Sequence, residues 1–208
     1  MPIFTKQKLC FIHIPKTAGT SIFEHLKINE PVHTNLLHTY DGIRSKKTGK
    51  TSQHLTYLEL HQEIKNLNEY TLFTVVRNPY TRIVSEYIWG QKRLKHIYNK
   101  FSTFDDFIHR SLRAPEKVRV TQFDGHLEPQ ISYIKECNKI NIFYYEQLEN
   151  LNVWLKQNYN LKGELPHLNM SEFKVGIKQL TSKTETITRI QKFYSEDFLT
   201  FNYDLNVF

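Results

Sequence analysis

The feature that most constrains this chain is a unit that occurs twice: a short apolar run, a polar loop and then a helical pattern. Residues 9–14, LCFIHI, lead into PKTAGTS and a helical pattern lasting to Leu26, and residues 71–76, TLFTVV, lead into RNPYTR and a helical segment over 83–94. Nearly continuous apolar runs of this length fit strands buried on both faces, and strands that alternate with helices pack as a parallel sheet with helices on each side. A third buried strand is expected at 140–145, followed by a helix over 147–158. Further helices are expected at 56–67 and at 104–112, the latter with Ser102 and Asp105 as its N-cap pair. Ser182 and Glu185 have capping-box spacing ahead of Ile187, Ile190, Phe193 and Tyr194, which would form one apolar face of a closing helix. No repeat, low-complexity tract or internal boundary interrupts the 208 residues, so one domain over 1–208 is expected.

In an open α/β sheet, ligands sit beyond the carboxyl ends of the strands, where a loop entering a helix offers free backbone N–H groups and the positive helix end. PKTAGTS occupies that place. Gly19 would let the backbone approach an anion, Lys16 would supply a mobile charge, and Thr17, Thr20 and Ser21 would add hydroxyl donors. The loop is not a Walker A sequence, since GxxxxGK[ST] places a glycine directly before the lysine and here Lys16 precedes the loop's only glycine. The bland alternative is an ordinary turn with Ser21 and Glu24 as a capping box.

The second loop repeats the logic. Arg77 ends a strand, Pro79 would delay the start of a helix, and Ser85 lies eight residues on from Arg77, about two turns into that helix. A strand-end arginine and a helix-borne serine can grip one phosphate. Arg82 reads instead as a structural ion-pair partner.

HIPKTAGTSI and FTVVRNPYTRIVSEY together resemble the two nucleotide-binding motifs of the carbohydrate sulfotransferases that use 3'-phosphoadenosine 5'-phosphosulfate (PAPS). The resemblance is to the branch containing the uronyl 2-O-sulfotransferases and bacterial relatives. It continues through QHLTYLEL at 53–60, GHLEPQ at 125–130, YYEQL at 144–148, LPHLNMS at 165–171 and YSEDFLTFNYD near the end. The resemblance implies an α/β, P-loop-like three-layer sandwich with a short parallel β-sheet flanked by helices. It places the 5'-phosphosulfate against Lys16, Thr17, Ala18, Gly19, Thr20 and Ser21, and the 3'-phosphate against Arg77 and Ser85. It also implies that Asn169 and Ser171 close over the nucleotide. The proton-accepting histidine falls at His54, with His126 as the alternative or as an acceptor contact.

Sulfuryl transfer needs the acceptor oxygen, the sulfur and the leaving phosphate oxygen in line, with negative charge growing on the leaving group. Lys16 is placed to neutralise that charge, and a histidine suits removal of the acceptor's proton near neutral pH. No divalent metal is required in principle, and the sequence spacing shows no carboxylate or histidine cluster to hold one. Glu128, Gln130, Trp89, Arg93 and Lys95 are candidate acceptor contacts, while His13 reads as structural and His33, His38 and His61 carry no role.

Composition narrows the partners. A net charge of +7 favours anionic ligands, and lysines cluster at 44–50 and 91–96. The expected acceptor is a sugar or polysaccharide hydroxyl, with no recognisable nucleic-acid motif. No apolar stretch is long enough to span a membrane, and neither a signal peptide nor an anchor is evident. Cys10 and Cys137 have no metal-binding or disulfide spacing, so a cytoplasmic location is expected, peripheral to a membrane if the acceptor is lipid-linked. Two rivals remain: a small-molecule kinase on a related P-loop sheet, which should need Mg²⁺ and ATP, and a non-catalytic polyanion binder with steep salt dependence.

Overall fold

The computed structural model describes residues 3–29, 51–113, 122–166 and 177–206. Its strands are β1 (Ile3–Phe4), β2 (Leu9–Ile12), β3 (Thr71–Val76) and β4 (Asn141–Tyr144), and its helices are α1 (Gly19–Asn29), α2 (Tyr57–Glu63), α3 (Pro79–Arg93), α4 (Lys95–Tyr98), α5 (Phe104–Ser111), α6 (Ile131–Ile134), α7 (Leu148–Tyr159), α8 (Ile177–Leu180), α9 (Thr184–Phe193) and α10 (Ser195–Thr200). The strands form one sheet in the order β1-β2-β3-β4. β2, β3 and β4 run parallel, in the register Phe11 to Phe73 and Val75 to Phe143, while the short β1 pairs antiparallel with β2. The fold is α/β with helices on both faces of a mostly parallel sheet, as the alternating apolar runs predict.

Successive strand residues point to opposite faces, and the core divides accordingly. Leu9, Phe11, Phe73 and Val75 pack with Ile22 and Leu26 of α1 and with Leu151 and Leu155 of α7. Cys10, Ile12, Leu72 and Val76 pack on the other face with Leu60 of α2 and with Tyr133 and Ile134 of α6. A third, aromatic-rich cluster joins α3, α4, α5 and α9, with Tyr98 and Phe107 at its centre. Gly90 of α3 is required there, because a Cβ would lie 2.1 Å from the Tyr98 ring.

Several local expectations change. β4 is half-exposed rather than buried, because it is the last strand of the sheet. α3 starts four residues earlier than the 83–94 reading, since Pro79 sits at its first turn, where the missing N–H costs nothing, and the Asn78 side chain accepts from Tyr80 N. α2 ends at Glu63, with Ile64 extended, and its capping box is formed by Thr56 and Glu59. The α5 cap is shifted by one residue: Thr103 accepts from Asp106 N, and Asp106 accepts from Ser102 N. Asp105 instead accepts from the Thr181 and Thr186 hydroxyls and pairs with Lys183, tying α5 to α9. Ser182 is not a cap, as α9 starts after Lys183 without a side-chain cap.

Candidate active site

β2 delivers residues 13–21 to the carboxyl edge of the sheet. Lys16 and Ala18 both have φ of +69°, the left-handed region that turns successive backbone N–H groups toward one concavity. α1 begins directly after, at Gly19, so its positive end faces the same space. Thr17 is fully buried and donates its hydroxyl to the Ile14 carbonyl at 2.8 Å; it braces the loop from beneath and is not among the cleft-lining residues, contrary to the expected donor role. Gly19 also has a reason the sequence did not show: a Cβ there would fall 1.8 Å from Nε2 of His13, whose ring is packed against it. His13 stacks on Phe11, and burial is the main cause of its pKa being pushed down to about 3.

β3 delivers Arg77. The buried Gln130 side chain accepts from Arg77 N and donates to Arg77 O, both at 2.8 Å, while Asp197 accepts from Gln130 N and Ile131 N. Gln130 is thus committed to the backbone at the strand end and cannot reach an acceptor. The Arg77 guanidinium donates to Thr81 Oγ1 and to the Lys16 carbonyl, and it lies 4.0 Å from the Tyr145 ring centre. Its contact with Lys16 O couples the two loops. Arg82 is structural, but through carbonyls rather than an ion pair: its buried guanidinium donates to Pro15 O, His126 O and Glu128 O. One side chain therefore fixes the first loop to the segment bearing His126.

The two loops open into a cleft of about 770 Å³. His54 and His126 both line it, with ring centres 5.0 Å apart. His126 Nδ1 lies 2.7 Å from Glu86 Oε2, and the other Glu86 oxygen accepts from the Tyr98 hydroxyl at 2.6 Å. Burial pushes the Glu86 pKa up, but His126, Lys16 and Tyr98 outweigh it and hold the carboxyl below its usual range. His54 has Nδ1 3.5 Å from the His13 carbonyl and Nε2 3.9 Å from Asp124 Oδ2. Burial first, then the neighbouring His13 and His126, drive its pKa well below the ordinary value, which leaves a neutral imidazole. Asp124 is fixed by Thr51, whose N–H and hydroxyl donate to its two oxygens at 2.7 and 2.6 Å. Lys16 bridges the loops and this cluster, with Nζ 4.5 Å from the Trp89 ring centre. Burial is the largest cause of its pKa falling to about 8, with Glu86 opposing and Arg77 assisting.

The cleft is also lined by Tyr145, Leu148, Glu149, Asn152, Leu165 and Pro166. Asn152 is buried, its amide donates to Glu149 and Glu164, and its Oδ1 has no hydrogen-bond partner in the structure. In the sequence YYEQL enters only through the resemblance, and nothing there singles out Asn152, on the helix after it.

Of the residues singled out in the sequence, Lys16, Ala18, Gly19, Thr20, Ser21, His54, Arg77, Ser85, Trp89 and His126 line this one cleft. Arg93 and Lys95 are exposed and lie outside its lining, as does the nearly buried Glu128. Asn169, Ser171, His33, His38 and the basic segment 44–50 lie outside the described residues. Sequence reasoning missed Glu86 and Asp124. It also missed that His54, Asp124 and His126 bring ligand-capable atoms within 4.8 Å of one another, a grouping that spacing along the chain conceals.

Two strand-end loops that line one cleft, beside a lysine and a histidine pair, suit a group-transfer enzyme. The sulfotransferase family model matches residues 2–204, and the chain belongs to that family. It is therefore an enzyme of sulfuryl transfer. No curated protein matches it in sequence. Among the described residues, no helix is long and apolar enough to cross a membrane.

Proposed function

We propose that this enzyme transfers the sulfuryl group of PAPS to a hydroxyl of a carbohydrate. The observation that carries the reading is a chain of contacts within one cleft: the Arg77 guanidinium lies over the Tyr145 ring and donates to Lys16 O, Lys16 Nζ lies over the Trp89 ring, and Trp89 packs on His126 beside His54. This succession suits a nucleotide base, its 3'-phosphate, the phosphosulfate and an acceptor hydroxyl. The unpartnered Asn152 Oδ1 suits the amino group of adenine.

In this reading Arg77 and Ser85 hold the 3'-phosphate, and the backbone of residues 16–21 with the α1 N-terminus holds the phosphosulfate. The acceptor oxygen attacks sulfur while the bond from sulfur to the leaving phosphate oxygen breaks, giving the sulfated product and 3'-phosphoadenosine 5'-phosphate. Lys16 Nζ neutralises the charge that grows on that oxygen. His54 takes the acceptor's proton, since its buried neutral ring is available as a base and Asp124 beside Nε2 stabilises the imidazolium formed. Glu86 holds His126 in orientation. Transfer needs no metal, because the leaving group is a stabilised phosphate. Trp89 packs beside His126, and with Phe123 and His96 it lines the same cleft and offers ring surface to a sugar, which agrees with the resemblance to carbohydrate sulfotransferases.

The test is transfer of radiolabelled sulfate from PAPS, in EDTA, to a panel of uronate-bearing polysaccharides, neutral polysaccharides and phenols. Label should enter a polysaccharide, and His54→Ala should lose at least a hundredfold in turnover with donor affinity intact. Label entering only phenols would overturn the carbohydrate assignment. Normal turnover in His54→Ala would overturn its role as base.

A further inference from the structure

The residues read as the acceptor end also form a donor set whose chemistry is not limited to proton transfer. His54, Asp124 and His126 come from segments far apart in the chain, yet each presents a ligand-capable atom within 4.8 Å of the other two. Two imidazoles and a carboxylate form a donor set used by divalent transition ions that keep open coordination positions.

The surroundings of each residue favour coordination. His126 has Nδ1 engaged by the buried Glu86 carboxylate at 2.7 Å, so the ring nitrogen left to coordinate is Nε2. His54 turns Nδ1 toward the His13 carbonyl at 3.5 Å and Nε2 toward Asp124 Oδ2 at 3.9 Å. A carboxylate or carbonyl behind the far nitrogen of each histidine is the supporting shell that orients metal-ligating imidazoles. Asp124 is oriented in turn by Thr51, whose N–H and hydroxyl donate to its two carboxylate oxygens. Ligand atoms around a tetrahedral zinc lie about 3.3 Å apart, so closure asks for side-chain movements of roughly an ångström, without a change of fold. All three residues line the cleft, which gives an ion its entry path and leaves its remaining positions facing the acceptor space.

We propose that His54, Asp124 and His126 form a binding site for a divalent first-row transition ion of the Zn²⁺ class, and that its occupancy inhibits sulfuryl transfer. Coordination uses the same His54 lone pair that accepts the acceptor's proton, so a chain holding the ion has no base. The binding half stands on geometry alone, whereas the inhibitory half rests on the proposed role of His54.

The two halves are tested separately. Co²⁺ titrated into the chelator-free protein should raise visible ligand-field absorption that saturates at one ion per chain and is bleached by Zn²⁺. Glu86→Gln, which weakens the support behind His126 while leaving all three proposed ligands in place, should weaken binding about 10–100-fold. His54→Ala/His126→Ala should abolish the absorption. No absorption in the wild type, or unchanged absorption in the double variant, would overturn the site. Intense sulfur-to-metal charge-transfer bands would do the same, by placing the ion on a cysteine. With the site established, PAPS turnover should fall at least tenfold in Zn²⁺-saturated protein and return with EDTA. Full turnover in saturated protein would overturn the inhibitory half and the role of His54 as base, while the Co²⁺ result would stand.

Discussion

Lys16 offers the most quantitative handle on the mechanism. Burial beside Trp89 lowers its pKa from 10.5 to about 8, so the free enzyme loses this charge within an accessible pH range. The donor-specific kcat/KM reports ionisations of the free enzyme. It should therefore be level up to about pH 8 and then fall about tenfold per pH unit, reaching roughly a hundredfold loss at pH 10. The bound donor's negative charge raises the lysine pKa again, so kcat should stay level to higher pH. Stability moves the other way. Between about pH 8 and 10.5 the unfolded chain binds the proton that the folded chain has released, so this lysine adds up to about 3 kcal/mol of stability as pH rises. Initial rates with varied PAPS between pH 6.5 and 10, beside urea melts at the same pH values, separate loss of charge from unfolding. A kcat/KM level to pH 10, or a fall that coincides with a loss of stability assignable to Lys16, would refute the reasoning.

Arg82→Met removes the donor that binds the Pro15, His126 and Glu128 carbonyls, and should cost about 3–5 kcal/mol, read as a lowered urea midpoint. A loss below about 1 kcal/mol would show that these carbonyls find other partners. His13 is neutral in the fold with a pKa near 3 but charges below pH 6.5 when unfolded. Stability should therefore fall by about 1.4 kcal/mol per pH unit from this residue between pH 6.5 and 3, an acid sensitivity that His13→Asn should reduce in denaturant melts across that range. Gly19→Ala should weaken binding of 3'-phosphoadenosine 5'-phosphate at least tenfold in calorimetry, since the added methyl must displace either the His13 ring or the loop backbone.

What could be read from the sequence was whatever local pattern and chain order determine. The apolar run at 71–76 is β3 and the run at 9–14 contains β2, which ends at Ile12, because a strand buried on both faces leaves an unbroken hydrophobic signature. The loops after them converge because adjacent parallel strands end at the same edge of the sheet. Capping is less legible: Ser182 has the right spacing for a cap, but α9 starts after Lys183, while Asp105, a plausible cap by spacing, is drawn to Thr181 and Thr186 across the helix pair. Thr17 and Gly19 look like ligand groups in isolation. Their surroundings, the Ile14 carbonyl and the His13 ring, give them structural duties that only the folded loop reveals. Asp124 lies 73 positions from the Thr51 that holds it, and Glu86 lies 40 positions from His126, so neither pairing leaves a spacing to read.

The donor is the point on which the rest depends, and calorimetric titration with 3'-phosphoadenosine 5'-phosphate, beside AMP and ATP in EDTA, tests it most directly. Metal-free binding that is lost without the 3'-phosphate, and weakened at least tenfold in Arg77→Ala, is the predicted result. Equal affinity for AMP, or a preference for ATP that appears only with Mg²⁺, would contradict it.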